Sequence, residues 1–283
     1  MRTFKFNKKH IPALILAAVC LVVAVLCIVK AVDDIKYHEE LTQSSIIDIT
    51  QTILTADGGN GKKVPKNTYL AIDDLHIKGF TSVKIDARLT GDKKWVALAD
   101  ENISVATNGH GKVSEYKYYE LLNYNIKGAP VFSKAVIELV RDTAKYAYDN
   151  SITPIVYVHN YSKKPIRSLI GELTEMLNNS FYIASADKRT IEYAKTVLPT
   201  LMCIYYVDEI TDEDIEFCRQ NTSVSLCFNA ANKNNTYDKI EKIFSAEILS
   251  ACYGAETLEE IEKFYKTGVR HFINDSIEPG VLQ

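Results

Sequence analysis

The chain has 283 residues and a formal net charge of −3, with 33 basic and 36 acidic side chains mixed along its length. So even a balance gives no global basic field, which excludes a general nucleic-acid binder. Beyond the N-terminal segment, about 230 to 250 residues remain, the size of one large domain and of a barrel of alternating strands and helices.

Arg2, Lys5, Lys8 and Lys9 open the chain, and Ile11 to Val29 then runs for 19 residues without a formal charge. At about 1.5 Å per residue such a run just spans the hydrocarbon core of a bilayer. Lys30 follows, but Asp33 and Asp34 come next, so the basic excess lies on the N-terminal side. The expectation is a cytoplasmic tail over 1–10, a transmembrane helix over 11–31 and an extracytoplasmic remainder at the plasma membrane. A cleaved signal peptide shares the basic start, but the apolar run is longer than a usual signal core and no small-x-small site follows cleanly. Val19 and Leu26, which precede Cys20 and Cys27, are not the small residues that lipoprotein processing wants. Residues 32–52 are expected to form a stalk, with Ile35, Leu41, Ile46 and Ile49 at ragged helical spacing.

From residue 53 short apolar, β-branched runs alternate with charged helical stretches. The runs are Ile53 to Ala56, Ser82 to Leu89, Trp95 to Ala99, Pro154 to His159, Phe181 to Ser185, Leu201 to Val207, Ser223 to Phe228, Ile248 to Tyr253 and Val269 to Asn274. That alternation is the mark of a parallel sheet covered by helices. The odd strand is Trp95 to Ala99, because the link Thr90 to Lys94 is too short for a parallel crossover, which takes about a dozen residues. Cys203, Cys218, Cys227 and Cys252 fit no zinc spacing; three of the four sit in apolar strand candidates, as ordinary buried thiols do.

Two segments carry a motif frame. The first strand ends in Asp57-Gly58-Gly59 and is followed by Pro65-Lys66-Asn67-Thr68; the next carries Lys84-Ile85-Asp86 and leads through Thr90-Gly91-Asp92 to Ala99-Asp100. This frame resembles the signature of the glycerophosphodiester phosphodiesterases. In that family the same places read His-Arg-Gly, Pro-Glu-Asn-Thr, Glu-x-Asp, Thr-x-Asp-Gly and His-Asp. The segments Ile183 to Tyr206 and Thr267 to Pro279 resemble later elements of the same family, so the likeness runs over residues 53–279, nearly the whole domain. It implies an α/β fold, a TIM-like (β/α)8 barrel of the phospholipase-C-like phosphodiesterase type, over 53–283.

The resemblance also implies what has changed. Phosphodiester cleavage in this family uses two histidines as general base and acid, with a divalent cation on the phosphate. The first histidine falls on Asp57 and the second on Ala99, which transfers no proton; the arginine after the first falls on Gly58. The metal carboxylates fall on Lys84, Asp86 and Tyr157, leaving one hard oxygen ligand of three, so no metal and no cofactor is expected. Lys84 and Asp86, two apart on one strand face, are expected to pair. His159 ends a strand where the family has a lysine, and His110 lies in a glycine-bounded loop; the first is at a strand end, where barrel sites form.

The function these residues imply is a binding or assembly module at the cell envelope, with Lys84, Asp86, Tyr157, Lys66 and Asn67 as candidate ligand-binding groups. The expected partners are the membrane, a phosphate-bearing glycolipid or envelope polymer, and a membrane protein. The alternatives are an active hydrolase of glycerophosphodiesters that uses Asp57, Asp86, Asp100 and His159 in an altered mechanism, with a divalent cation, and a structural subunit of a membrane complex.

Overall fold

A computed structural model describes residues 52–59, 64–130 and 135–281. The expected tail, transmembrane helix and stalk therefore lie outside the described residues, save Thr52. Among the described residues no helix is long and apolar enough to cross a membrane.

The nine apolar runs become nine strands: β1 (Ile53–Asp57), β2 (Ser82–Leu89), β3 (Trp95–Ala97), β4 (Thr153–Val158), β5 (Tyr182–Ser185), β6 (Cys203–Val207), β7 (Val224–Asn229), β8 (Ser250–Tyr253) and β9 (His271–Asn274). All but β3 pair in parallel in the order β1, β9, β8, β7, β6, β5, β4, β2, and β1 also pairs with β2, closing an eight-stranded barrel. β3 is the odd strand: it folds back antiparallel on β2, as a five-residue link allows.

The helices are α1 (Tyr69–Ile77), α2 (Tyr118–Leu121), α3 (Val140–Asp149), α4 (Lys163–Leu177), α5 (Lys188–Val197), α6 (Asp212–Gln220), α7 (Tyr237–Ser245) and α8 (Leu258–Lys266). The buried stripes of all but α2 pack on the outer face of the barrel. In α4 the buried residues are Ile166, Leu169, Ile170, Leu173 and Leu177, spaced three and four apart along one face. Each such side chain contributes about 1.5–3 kcal/mol when fully buried. Thr257 closes a capping box with Glu260 at the start of α8, which satisfies two backbone donors left open by helix geometry.

The interior of the barrel is filled by Ile155, Ala184, Ile204, Tyr206, Cys227, Ala251 and Ile273. Nearer the N-terminal ends of the strands Thr55 Oγ1 lies 2.6 Å from Ser82 Oγ and 2.8 Å from His271 Nε2. The connection from β3 to α3 carries its own small core of Val96, Leu98, Ile103, Val113, Leu121, Ile126 and Ile137. The four domain cysteines are buried free thiols.

Candidate functional site

Strand alternation and register build the mouth of the barrel. Lys84, Asp86 and Arg88 follow one another at every second position of β2, and so point to one face; Tyr157 near the end of β4 and His159 just past it keep the same spacing. Register sets Lys84 opposite Asp57 and Asp86 opposite Tyr157. The C-terminal strand ends thus converge, where barrel sites form.

The loop after β1 completes the cluster. Gly59 has a φ of +113°, and a Cβ there would come within 2.6 Å of the Ala71 Cβ, so only glycine lets α1 lie this close. Asn67, buried and in the left-handed region, accepts from the Asp86 N–H at 2.9 Å and donates to Asp86 Oδ2 at 3.1 Å. Thr68 caps α1 by accepting from the Ala71 N–H.

A chain of ion pairs crosses the mouth. The Lys84 ammonium lies 2.5 Å from Asp57 Oδ1 and 3.3 Å from Asp86 Oδ1, and 5.0 Å from the centre of the Tyr157 ring. Lys66 lies 3.7 Å from Asp57 Oδ2 and 2.5 Å from Asp275 Oδ2. His159 Nε2 is 2.9 Å from Asp86 Oδ1, and Arg88 Nη2 is 3.3 Å from His159 Nδ1. Because a guanidinium only donates, Nδ1 is the acceptor and the ring proton sits on Nε2, donated to Asp86. On the other side Tyr157, Tyr206 and Tyr253 form an aromatic wall with ring centres 4.9 and 5.5 Å apart.

Burial drives the Asp86 carboxyl up, but the His159 hydrogen bond, the Lys84 charge and Asn67 outweigh it and hold the group well below the usual carboxylate range. Burial works against the Lys84 ammonium too, and Asp86 and Asp57 more than reverse it, so Lys84 titrates above an ordinary lysine. Burial raises Asp275, with the Lys66 hydrogen bond only partly opposing it. Burial also raises Tyr157 and Tyr206, which stay protonated phenols. Among the described residues the Tyr206 hydroxyl finds no hydrogen-bond partner beyond the weak Cys227 thiol.

These donors do not fit the divalent cation that the resemblance implies. The two facing carboxylates, Asp57 and Asp86, both have the Lys84 ammonium between them, and Mg²⁺ or Ca²⁺ wants six or so oxygens. Among the described residues no three His, Cys, Asp or Glu side chains converge as ligands.

Of the residues expected from sequence, Asp57, Lys66, Asn67, Lys84, Asp86, Tyr157 and His159 come together. Asp100 does not: it is half-buried and shares no hydrogen bond or ion pair with the cluster among the described residues. His110 is exposed, and only its backbone carbonyl is engaged, by the Tyr116 hydroxyl. The pairing of Lys84 with Asp86 is present, but Asp57 is the closer partner. Arg88 and Asp275 were missed. Arg88 is the next alternate residue after Asp86, so strand period alone points to it; Asp275 lies in the segment Thr267 to Pro279 that carries the resemblance, but nothing in that segment points to its partner Lys66.

Barrel, motif positions and mouth together define a (β/α)8 protein of the phosphodiesterase class. The sequence profile of the glycerophosphoryl diester phosphodiesterase family matches residues 59–279, and the chain belongs to that family. A glycerophosphodiester phosphodiesterase of Caldanaerobacter subterraneus subsp. tengcongensis is 32% identical over 71 residues, 25% of this chain and 29% of that relative's length. A phosphodiesterase from Oleispira antarctica, solved in complex with the product sn-glycerol-3-phosphate, superposes with a TM-score of 0.70 at 18% identity, over 78% of this chain and 92% of that one. A structure described as a putative glycerophosphodiester phosphodiesterase from Galdieria sulphuraria gives 0.71 at 12% identity, over 84% and 98%. These structures share the fold.

Proposed function

We propose that this family member is non-hydrolytic and serves as a binding or assembly module for a phosphate-bearing glycolipid or polymer, held outside the membrane by residues 11–31. The observation that carries the proposal is the Lys84 ammonium lying between Asp57 and Asp86, where hydrolysis would call for a divalent cation. The state of His159 supports it: one nitrogen donates to Asp86 and the other accepts from Arg88, so neither is free to take a proton from water. The sn-glycerol-3-phosphate in the Oleispira antarctica structure supports a phosphate ester as the ligand class.

The test is hydrolysis of glycerophosphocholine and glycerophosphoglycerol by the full chain, with added Mg²⁺ or Ca²⁺ and with chelator. No product above the blank is expected, because proton transfer and charge stabilisation are each worth on the order of a hundredfold or more. Turnover that disappears both with chelator and in Asp86→Ala overturns the proposal in favour of an atypical hydrolase. Topology is tested separately: external protease on intact cells should remove the barrel and spare the first ten residues, and a protected barrel would reverse the orientation.

A further inference from the structure

We propose that Arg88 is the anion anchor of the mouth, and that it takes the phosphate group of a monoester or diester. The inference rests on the reading that the ligand bears phosphate, and it names the residue that holds it.

Charge at the mouth is unevenly compensated. Three cations and three carboxylates meet at the mouth, so the cluster as a whole is close to neutral. Two of the cations are committed: Lys66 lies against Asp57 and Asp275, and Lys84 against Asp57 and Asp86. An anion arriving at either lysine must compete with carboxylates already in place. Arg88 differs. Its Nε donates to the Ala99 carbonyl at 2.7 Å and its Nη2 to His159, both neutral acceptors, and it forms no ion pair among the described residues. Asp86 is linked to it only through the His159 ring, and Asp100, next in sequence to Ala99, forms no ion pair with it among the described residues.

A guanidinium carries five N–H donors in a planar fork. Two are used here, and the three that remain suit the two-oxygen edge of a phosphate. The two bonds it does make fix its plane, and half-burial at the mouth weakens competition from water. An anchored and uncompensated fork of this kind is how proteins hold phosphate esters. His159 is then a positioning residue: with its Nε2 proton given to Asp86, its Nδ1 holds one arm of the fork. The ring of Tyr157, 4.7 Å from that of His159, offers an apolar wall for the organic part of the ester.

The experiment is calorimetric titration of the full chain with sn-glycerol 3-phosphate, glycerophosphoglycerol and inorganic phosphate, with glycerol as the neutral control. Arg88→Met should weaken the phosphate-bearing ligands at least tenfold, about 1.4 kcal/mol. Arg88→Gln, which keeps a donor for Ala99 and loses the charge, should weaken them as much while melting close to the parent. Arg219→Met, which removes an exposed charge paired with Glu216 on α6, is the charge control and should bind like the parent. Parent-like affinity in both Arg88 variants overturns the anchor and leaves the binding module standing. No affinity of the parent for any of the three phosphates overturns both. Hydrolysis by the parent, with KM raised in Arg88→Gln, removes the non-hydrolytic reading and keeps the anchor.

Discussion

Replacing Lys84 by methionine removes the ammonium while keeping most of the side-chain stem. The Lys84 side chain is 15% exposed and that of Asp86 3%, so the lost pair is largely buried, and breaking such a pair costs about 3–5 kcal/mol. The lower end applies, since Asp86 is not left alone: it keeps the Asn67 amide and His159. Asp57 keeps Lys66 at 3.7 Å and is a third exposed. For a domain of this size about 3 kcal/mol lowers the melting temperature by roughly 6–12 °C. The pH dependence has a definite sign. Asp86 has a folded pKa below its unfolded value, so it stabilises above about pH 4 and that contribution fades as pH falls through the folded pKa. Lys84 is raised, so its contribution is complete below about pH 10 and is lost as pH climbs through its folded value. The gap between parent and variant should therefore hold across the neutral range and narrow in acid. Calorimetric melting of both proteins as a function of pH measures it. A variant melting within about 2 °C of the parent at neutral pH would refute the assignment of Lys84 as the buried keystone of the cluster.

Lys84→Glu sets a carboxylate between Asp57 and Asp86; calcium should then raise the melting temperature of the variant and leave the parent unmoved, and a variant blind to calcium would count against this spacing as that of a cation site. Burial lowers His271 from 6.5 to about 4, so the unfolded chain takes up its proton first and stability falls as pH drops between those values. His271→Gln should flatten that acid slope, and an unchanged slope would assign it to other groups. Gly59→Ala should cost about 1–3 kcal/mol in urea unfolding, since its φ of +113° suits no other residue and the new Cβ meets Ala71.

The fold was legible because each strand carries its own signal. Cys203 to Val207 is buried along its whole length, as a strand between barrel interior and helix layer must be, and Ser82 to Leu89 keeps Val83, Ile85, Ala87 and Leu89 on one face and its polar residues on the other. The five-residue link after Leu89 marked β3 as the strand too close to join the parallel series, and it pairs antiparallel with β2. Strand ends shifted by at most two residues, since periodicity does not fix where pairing stops. Asp100 misled because its place in the motif frame says nothing of where β3 ends: the strand closes at Ala97, and Asp100 lies beyond the pairing that aims side chains into the mouth.

The charges of the site were legible one strand at a time, and their balance was not. Period two placed Lys84 and Asp86 on one face, and their mutual pairing followed from that. Whether the pair is self-contained depends on Asp57 from β1, Lys66 from the following loop, Asp275 beyond β9 and His159 beyond β4. These positions span more than 200 residues of sequence and meet only when the barrel closes. Closure is also what separates spent cations from the unspent one. Lys66, Lys84 and Arg88 look alike in the sequence, yet two close on carboxylates and the third on a carbonyl and an imidazole. An incoming anion gains the full charge-assisted interaction only at the third, because at the other two it must first displace a bonded carboxylate. The recognition chemistry of the mouth is therefore set by which cation the barrel leaves without an acid, a property of the closed sheet rather than of any motif.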